Sequence, residues 1–417
     1  MNIAMLTYEF PPYVNGGLGN YCRKMAEYLL KKDNRLYVFG YNTGDLPAVE
    51  RNKNLTVFRP FVRLFTFKWL QKPGKKNNLK NPFFYYFSVA CYNVLAFIKL
   101  IQSNHECRFD IIAVHDWISS FTGILAAIFL KAPVVFHIHN THISMTEWSK
   151  KNIVSTMIIF LESLLAGMAD KIIVPSEKMR HLLERKGWNK DKIEIIVHGS
   201  DGELVRKVKT QEIISKTGKL EEAFRFPPSS VKLLYVGRLV PEKGILNLLR
   251  ALPLVLEKHE DTRLIVAGKG DVPAFEDEIQ MFIENHSLHE YAHVYYRFLN
   301  FEDVICHYLY SDICIFPSMY EPFGLVALEA MALGKPVILG NGFCRSTFDY
   351  PGNAPALFVD GNNPSSIAGG IRQLMENPGL VRRIVENAFK YILPRFSWNN
   401  TADNTLLTYK KIIEEKK

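Results

Sequence analysis

The sequence predicts an α/β protein made of two doubly wound, Rossmann-like domains that face each other across a cleft. Three observations predict it. The chain has 417 residues, enough for about two domains with full cores. Short apolar runs of strand length alternate with segments whose apolar positions repeat at helical spacing, as in parallel sheets covered on both faces. The alternation stops in a charged, then Pro-rich stretch, Val205 to Ser230, and restarts at Val231. The predicted division is a first domain over 1–205, a connection over 206–230, a second domain over 231–395 and a closing helix over 396–417 that packs back toward the first domain.

Taken in order, Asn2 to Tyr8 reads as the first strand, followed by the turn-rich loop EFPPYVNGGLG and a helix from about Asn20 to Lys32. Leu36 to Gly40 is the next strand, so the connection is a right-handed crossover. Residues 55–108 are harder to divide. Phe61 to Leu70 is aromatic and basic, Lys72 to Lys80 is Lys-rich, and an apolar helix starts near Phe83. Buried strands are expected at Asp110 to Val114, Pro133 to His137, Lys171 to Val174 and Ile193 to Val197. A long helix from about Ile153 to Ala169 and one capped by Ser176 lie among them. The second set runs Val231 to Val236, Arg263 to Ala267, Ala292 to Tyr296, Asp312 to Phe316, Pro336 to Leu339 and Ala356 to Val359.

The formal charge is +9, which permits anionic ligands, anionic lipid or nucleic acid and selects none of them. The densest basic group, Lys72 to Lys80, lacks the interleaved aromatics of a nucleic-acid platform, so no nucleic-acid partner is expected. Six scattered cysteines without a CxxC pair fit a reduced compartment, and the N-terminus enters a strand at once, so a cytoplasmic protein is expected. No run of about 18 uninterrupted apolar residues marks a spanning helix. The aromatic and basic stretch Phe61 to Ile101 could lie on an anionic membrane, but a buried helix with a solvated Lys loop is the preferred reading. Nothing sets the oligomeric state.

Ligands of doubly wound sheets bind beyond the carboxyl ends of the strands, and the unusual residues gather there. In the second half, Ser318 to Pro336 follows a buried strand. Pro322 suits the first turn of a helix over Phe323 to Leu333, closed by Gly334. Glu321 then sits at the helix entrance and Glu329 about two turns on. The entrance suits a phosphate, and the two acids suit flanking hydroxyls. An N-cap acid and a solvated helix acid are the plain alternative. Arg238 and Lys243 follow another strand and would clamp a leaving diphosphate; two solvated surface cations are the alternative. A Gly268–Lys269–Gly270 turn ends the neighbouring strand.

In the first half the candidates are Gly16 and Gly17 of the Gly16–Gly17–Leu18–Gly19 loop, His115–Asp116–Trp117 and His139. The glycine loop is a poor dinucleotide fingerprint, because Cys22 stands at the third glycine and no acid ends the next strand. It lets backbone approach a diphosphate or sugar, or is simply a tight turn. His137, His139 and His142 invite a metal reading, but nothing supplies a third and fourth ligand, so no metal is expected.

Two of these patterns, E-x-F-G-x-x-x-x-E at Glu321 to Glu329 and G-R-x-x-x-x-K-G at Gly237 to Gly244, resemble the signature of retaining, nucleotide-sugar-dependent glycosyltransferases of family 4 and their glycogen and starch synthase relatives. The resemblance implies a GT-B fold and a hexosyltransferase. It implies that Arg238 and Lys243 hold the diphosphate, Glu329 the ribose hydroxyls and Glu321 the donor sugar. Phe323, Gly324 and Leu325 would contact sugar and phosphate mainly through backbone. His139 matches the family histidine near the reacting carbon, and His115–Asp116–Trp117 resembles the H-D-W of glycogen synthases on the acceptor side. The chain departs from that pattern at Asn15 and Asn20, in His198–Gly199–Ser200–Asp201 where N-G-V-D is typical, and in the absence of a Gly–Gly–x–x–Glu loop over 341–355.

The leading expectation is transfer of a hexosyl unit, glucosyl for preference, from UDP- or ADP-glucose to an α-glucan or other glycan. Retention of configuration follows from the resemblance. The donor is a co-substrate, and no cofactor or metal is required. A family-4 transferase acting on a lipid-linked or small sugar acceptor, such as a mannosyltransferase, is the runner-up. A sugar-nucleotide-binding regulator, or a dehydrogenase-like protein without transferase activity, is the third class.

Overall fold

A computed structural model describes residues 1–14, 16–42, 46–60, 82–145, 153–200, 208, 210–270, 273–297 and 299–416. The chain divides into two compact units, Met1–Val197 with Trp398–Lys417, and His198–Ser397.

The first unit has an eight-stranded sheet: β1 (Asn2–Leu6), β2 (Arg35–Phe39), β3 (Val49–Asn52), β4 (Leu55–Phe58), β5 (Ile111–His115), β6 (Val134–His137), β7 (Lys171–Val174) and β8 (Ile193–Ile195). Their order is β3-β4-β2-β1-β5-β6-β7-β8. Every pairing is parallel except β3 with β4. β5 and β6 are buried along their whole length, because helices cover both faces. Strand order reverses between β1 and β5, and that is where such a sheet opens a crevice. The hairpin of β3 and β4 went unforeseen. Every residue of β3 is exposed, so no buried alternation marks it. The stretches 61–70 and 72–80 lie outside the described residues, as does Asn15.

The helix after β1 runs Gly17–Leu30, three residues longer at its start than expected, with Gly16 in extended conformation as its N-cap. The last helix, Trp398–Glu415, buries Trp398, Thr401, Thr405, Tyr409 and Ile412, one face at helical spacing. It is fastened by Tyr409 Oη to His137 Nε2 at 2.8 Å, Thr401 Oγ1 to the Val197 carbonyl at 2.9 Å and ion pairs Lys32–Asp403 and Lys416–Asp170, both 2.7 Å.

The second unit has six parallel strands: β9 (Val231–Val236), β10 (Thr262–Gly268), β11 (Ala292–Tyr296), β12 (Ile313–Phe316), β13 (Val337–Gly340) and β14 (Leu357–Val359). The order β11-β10-β9-β12-β13-β14 is the 3-2-1-4-5-6 winding of a dinucleotide-type sheet, with its switch point between β9 and β12. Leu233, Leu248, Val266, Ile279, Ile315 and Ile371 are among its fully buried core, each contributing about 1.5–3 kcal/mol by leaving water.

Two expectations change here. His198 opens the second unit rather than closing the first. The stretch 206–230, read as a connection, holds the helix Gln211–Phe224, capped by Thr210. Ile213 buries itself against Ile305 and Cys306, and Phe224 stacks on Tyr310 at 5.5 Å. With one buried residue among fourteen, that helix shows little of itself in hydropathy.

Candidate active site

At the carboxyl end of β9 the chain turns through Gly237 to Arg238, and the Tyr235 hydroxyl donates to the Arg238 carbonyl at 2.8 Å. A one-turn 3₁₀ segment, Pro241–Lys243, leads through Gly244 (φ 73°) into the helix Ile245–Leu256. The loop after β12 is tied to it by the Met319 and Tyr320 amides, which donate to the Glu242 carbonyl at 2.8 and 3.2 Å. So two loops distant in sequence form one rigid edge at the switch point. Across it Lys243 Nζ meets Glu321 Oε2 at 2.7 Å and the Tyr320 carbonyl at 3.4 Å, with both charged side chains only 13 % exposed. Arg238 is more open, at 33 %, with Nη2 3.7 Å from Glu242 Oε1.

Pro322 does not open the helix. The helix runs Leu325–Ala332 with Gly324 as N-cap at φ 101°, where a Cβ would run into the Phe343 ring. The left-handed turn at Gly324, rather than the fixed φ of Pro322, starts the helix. Glu321 stays in the loop, and Glu329 is the fifth residue of the helix rather than two turns along it. The Tyr308 hydroxyl lies 3.3 Å from Glu329 Oε2 and 3.1 Å from the Val326 carbonyl, which orients that carboxylate. The Phe323 ring is buried against His198, Phe396 and Phe348, so its backbone, not its ring, is offered at the helix entrance.

The packing beneath this loop was not foreseen. Added Cβ atoms at Gly244, Gly340, Gly342 and Gly361 would each collide with the Pro317–Ser318 backbone. Four glycines from three strand ends thus let one peptide sit at the centre of the edge. The signal was present only as isolated glycines just after strands, a pattern that marks close backbone approach.

The first unit carries the other candidates. His115 ends β5, and Asp116 follows at φ 55°. The Asp116 Oδ1 accepts the His139 and Asn140 amides at 2.6 and 3.2 Å, so this acid fastens the end of β5 to the turn after β6. Burial holds its carboxyl up at about 7. His115 Nδ1 lies 3.1 Å from His139 Nε2, and the His139 ring packs on Tyr21 at 4.2 Å. Burial depresses His139 to about 3 and holds His137 well below the ordinary imidazole value, so both rings are neutral at pH 7. His137 uses Nε2 on Tyr409, and His142 packs edge-on against Trp117 at 5.2 Å, so the three histidines suspected of metal binding have separate partners. Among the described residues no three His, Cys, Asp or Glu side chains group as metal ligands.

Glu162 was missed. It is buried, accepts the Thr141 hydroxyl at 2.7 Å and the His142 amide at 3.1 Å, and is pushed up to about 8 by burial. It anchors the turn that carries His139. Gly16 and Gly17 stand at the entrance of their helix. Gly19 packs closely there, since a Cβ would come 2.8 Å from Glu9 and 2.9 Å from Val14.

Twin Rossmann-like units, with cations and acids gathered at the switch point of the second, define a GT-B glycosyltransferase. Residues 15–204 match the model of Glycosyltransferase Family 4, and residues 216–391 match Glycosyl transferases group 1. The chain is 30 % identical over 420 residues to an uncharacterized glycosyltransferase of Methanocaldococcus jannaschii, covering 99 % of each. It is 25 % identical over 418 residues to a glycogen synthase of Mycobacterium tuberculosis, covering 98 % of this chain and 94 % of the relative. The catalytic domain of starch synthase IV from Arabidopsis thaliana, bound to ADP and acarbose, superposes with a TM-score of 0.75 at 16 % identity, covering 99 % of each chain. The chain belongs to the family-4 glycosyltransferases and resembles the glycogen and starch synthases among them.

Proposed function

We propose that this glycosyltransferase moves a hexosyl unit, glucosyl for preference, from a nucleoside diphosphate sugar to a glycan acceptor with retention of configuration. The observation that carries the reading is the edge at the β9–β12 switch point. There Lys243 and Arg238 stand with Glu321 in loops fixed to each other by backbone hydrogen bonds. In the transition state the bond from the anomeric carbon to the diphosphate oxygen lengthens, and charge builds on both fragments. Arg238, Lys243 and the helix entrance at Gly324 to Leu325 stabilise the departing diphosphate. Glu321 holds the donor sugar and Glu329 the ribose hydroxyls, with Gly16 and Gly17 giving the diphosphate a close backbone approach. His139, neutral, offers a hydrogen bond to the sugar near the reacting carbon without adding charge beside an oxocarbenium ion. His115, Asp116 and Trp117 serve the acceptor side. The acceptor hydroxyl attacks from the face the diphosphate leaves, and its proton passes to a leaving phosphate oxygen.

Fixed cations and a helix end take the place of a divalent ion in this reading, so metal is not required. The ADP bound to the starch synthase domain supports a nucleotide donor, and the glycogen synthase likeness supports a glucan acceptor. The six cysteines are free thiols, which suits the cytoplasm.

The test is a panel of UDP-, ADP- and GDP-hexoses, each with glycogen, with small sugars and with none, and with or without EDTA. One donor should be consumed with an α-linked product, equally in EDTA. No turnover with any pair would leave a binding protein, and an inverted product would remove the retaining mechanism.

A further inference from the structure

Backbone bonds hold the turn after β6, but they do not aim a ring. Asp116 Oδ1 accepts the His139 amide at 2.6 Å, which places the backbone and leaves both side-chain torsions to be set by packing. Two neighbours set them. His115 Nδ1 lies 3.1 Å from His139 Nε2, and the Tyr21 ring lies against the His139 ring at 4.2 Å. Of two hydrogen-bonded imidazole nitrogens one donates and the other accepts, so His115 also constrains which nitrogen of His139 carries the proton.

Both neighbours are propped by the last helix, Trp398–Glu415. His115 and His137 are partners in register on β5 and β6, and their rings stack at 4.6 Å. His137 Nε2 meets the Tyr409 hydroxyl at 2.8 Å, while His137 Nδ1 has no hydrogen-bond partner among the described residues. That one bond keeps the buried His137 ring from turning over beneath His115. On the other side, Tyr21 meets Trp398 edge-on at 5.7 Å. Trp398 and Tyr409 both lie on the buried face of the helix, about three turns apart. Tyr21, His115, His137, Trp398 and Tyr409 are each at most 2 % exposed, and His139 alone keeps part of its surface open. A buried scaffold thus ends at one accessible ring.

We propose that the closing helix is a positioning element for His139: Tyr409 through His137 and His115, and Trp398 through Tyr21, hold that ring in one orientation and one tautomer. The consequence for transfer rests on the reading that places His139 near the reacting carbon; the geometric claim does not. Other contacts fasten the same helix without touching the scaffold, among them the ion pairs Lys32–Asp403 and Lys416–Asp170. They allow the holding of the helix to be separated from the aiming of the ring.

The experiment is nuclear magnetic resonance of the full chain, isotope-labelled at its histidine ring nitrogens, with His139 assigned by the signals lost in His139→Gln. In the parent, His139 should show one neutral tautomer from about pH 6 to about pH 8. Tyr409→Phe removes a hydroxyl and keeps the buried ring; it should shift the His139 signals or split them between tautomers. Trp398→Phe tests the second support in the same way. Lys416→Ala loosens the helix away from the scaffold and should leave those signals in place. Averaged tautomers in the parent, signals unmoved by Tyr409→Phe and Trp398→Phe, or signals moved equally by Lys416→Ala, overturn the proposal. With the donor that the panel identifies, Tyr409→Phe should lower kcat about fivefold or more with donor KM within about twofold, the pattern of an interaction made in the transition state. It should add nothing to the loss in His139→Ala. An unchanged kcat, or losses that multiply with His139→Ala, also overturns it. Signals that respond as expected in a chain that transfers nothing uphold the support and count against the transferase reading alone.

Discussion

Replacing Lys243 with alanine leaves the Glu321 carboxylate, 13 % exposed, without the ammonium that lies 2.7 Å away. An ion pair in water would be worth at most about 1 kcal/mol, and breaking a fully buried one costs about 3–5 kcal/mol. At this burial the loss falls between, about 2 kcal/mol. Glu321→Gln keeps an oxygen for Lys243 to donate to and costs less, about 1 kcal/mol. In the double variant neither charge is stranded, so the combined loss should fall short of the sum of the singles by about 1 kcal/mol or more. The assay is a double-mutant cycle by urea denaturation. Nucleotide binding on the folded variants is followed by calorimetry, below the temperature at which any of them melts. If Lys243 holds the diphosphate, Lys243→Ala should weaken nucleoside diphosphate binding at least tenfold while the protein remains folded, and transfer should be lost with it. Additive stabilities would refute the claim that the pair is coupled. Unchanged nucleotide affinity would refute the role of the ammonium even if stability fell as expected.

Gly340→Ala should destabilise the second unit by several kcal/mol or move the edge that carries Lys243 and Glu321, because its Cβ would strike the Ser318 carbonyl. A melting temperature and activity equal to the parent's would contradict the close approach. Stability should also depend on pH in a set way. Asp116 and Glu162, raised to about 7 and about 8, hold protons that the unfolded chain has released, so they remove stability as pH rises through the window above the ordinary carboxyl range. His139 and His137, depressed, refuse protons that the unfolded chain accepts, so they remove stability as pH falls below about 6.5. The slopes oppose each other between about 4.5 and 6.5. From 6.5 to 8 the acids act alone and should cost about 2 kcal/mol, a decline that Glu162→Gln should largely flatten in denaturation series. A stability that rises over that interval would sink the argument.

The strands were legible because a parallel strand buried on both faces is a largely apolar run, and β7 and β9 stand where such runs begin and end. That the loops after β9 and β12 belong together was legible because cations, acids and glycine gather just past those strands, so Lys243 and Glu321 could be named as candidates although 78 residues separate them. What stayed hidden depends on partners distant in sequence. Asp116 reads as one acid of a motif, and its work on two backbone amides appears only when the turn after β6 is placed beside it. Tyr308 belongs with Glu329 for the same reason. Glu162 reads as a solvated charge on an apolar helix, whereas it is the buried residue and its apolar neighbours are the exposed ones.

That inversion shows what periodicity can and cannot decide. A stripe of apolar residues every three or four positions states that one helix face avoids water; it does not say which of two faces meets the sheet. In Ile153–Met168 both faces qualify, since Ile158, Leu165 and Ala166 turn inward while Met157 and Phe160 turn outward. What settles the direction is Glu162, whose carboxylate accepts Thr141 and the His142 amide from the turn beyond β6. A buried acid with hydrogen-bonded partners fixes the rotation of the helix, because rotating it would strand those donors, at about 1–3 kcal/mol each. The same residue therefore steadies the turn that carries His139 and commits the opposite apolar face to the outside.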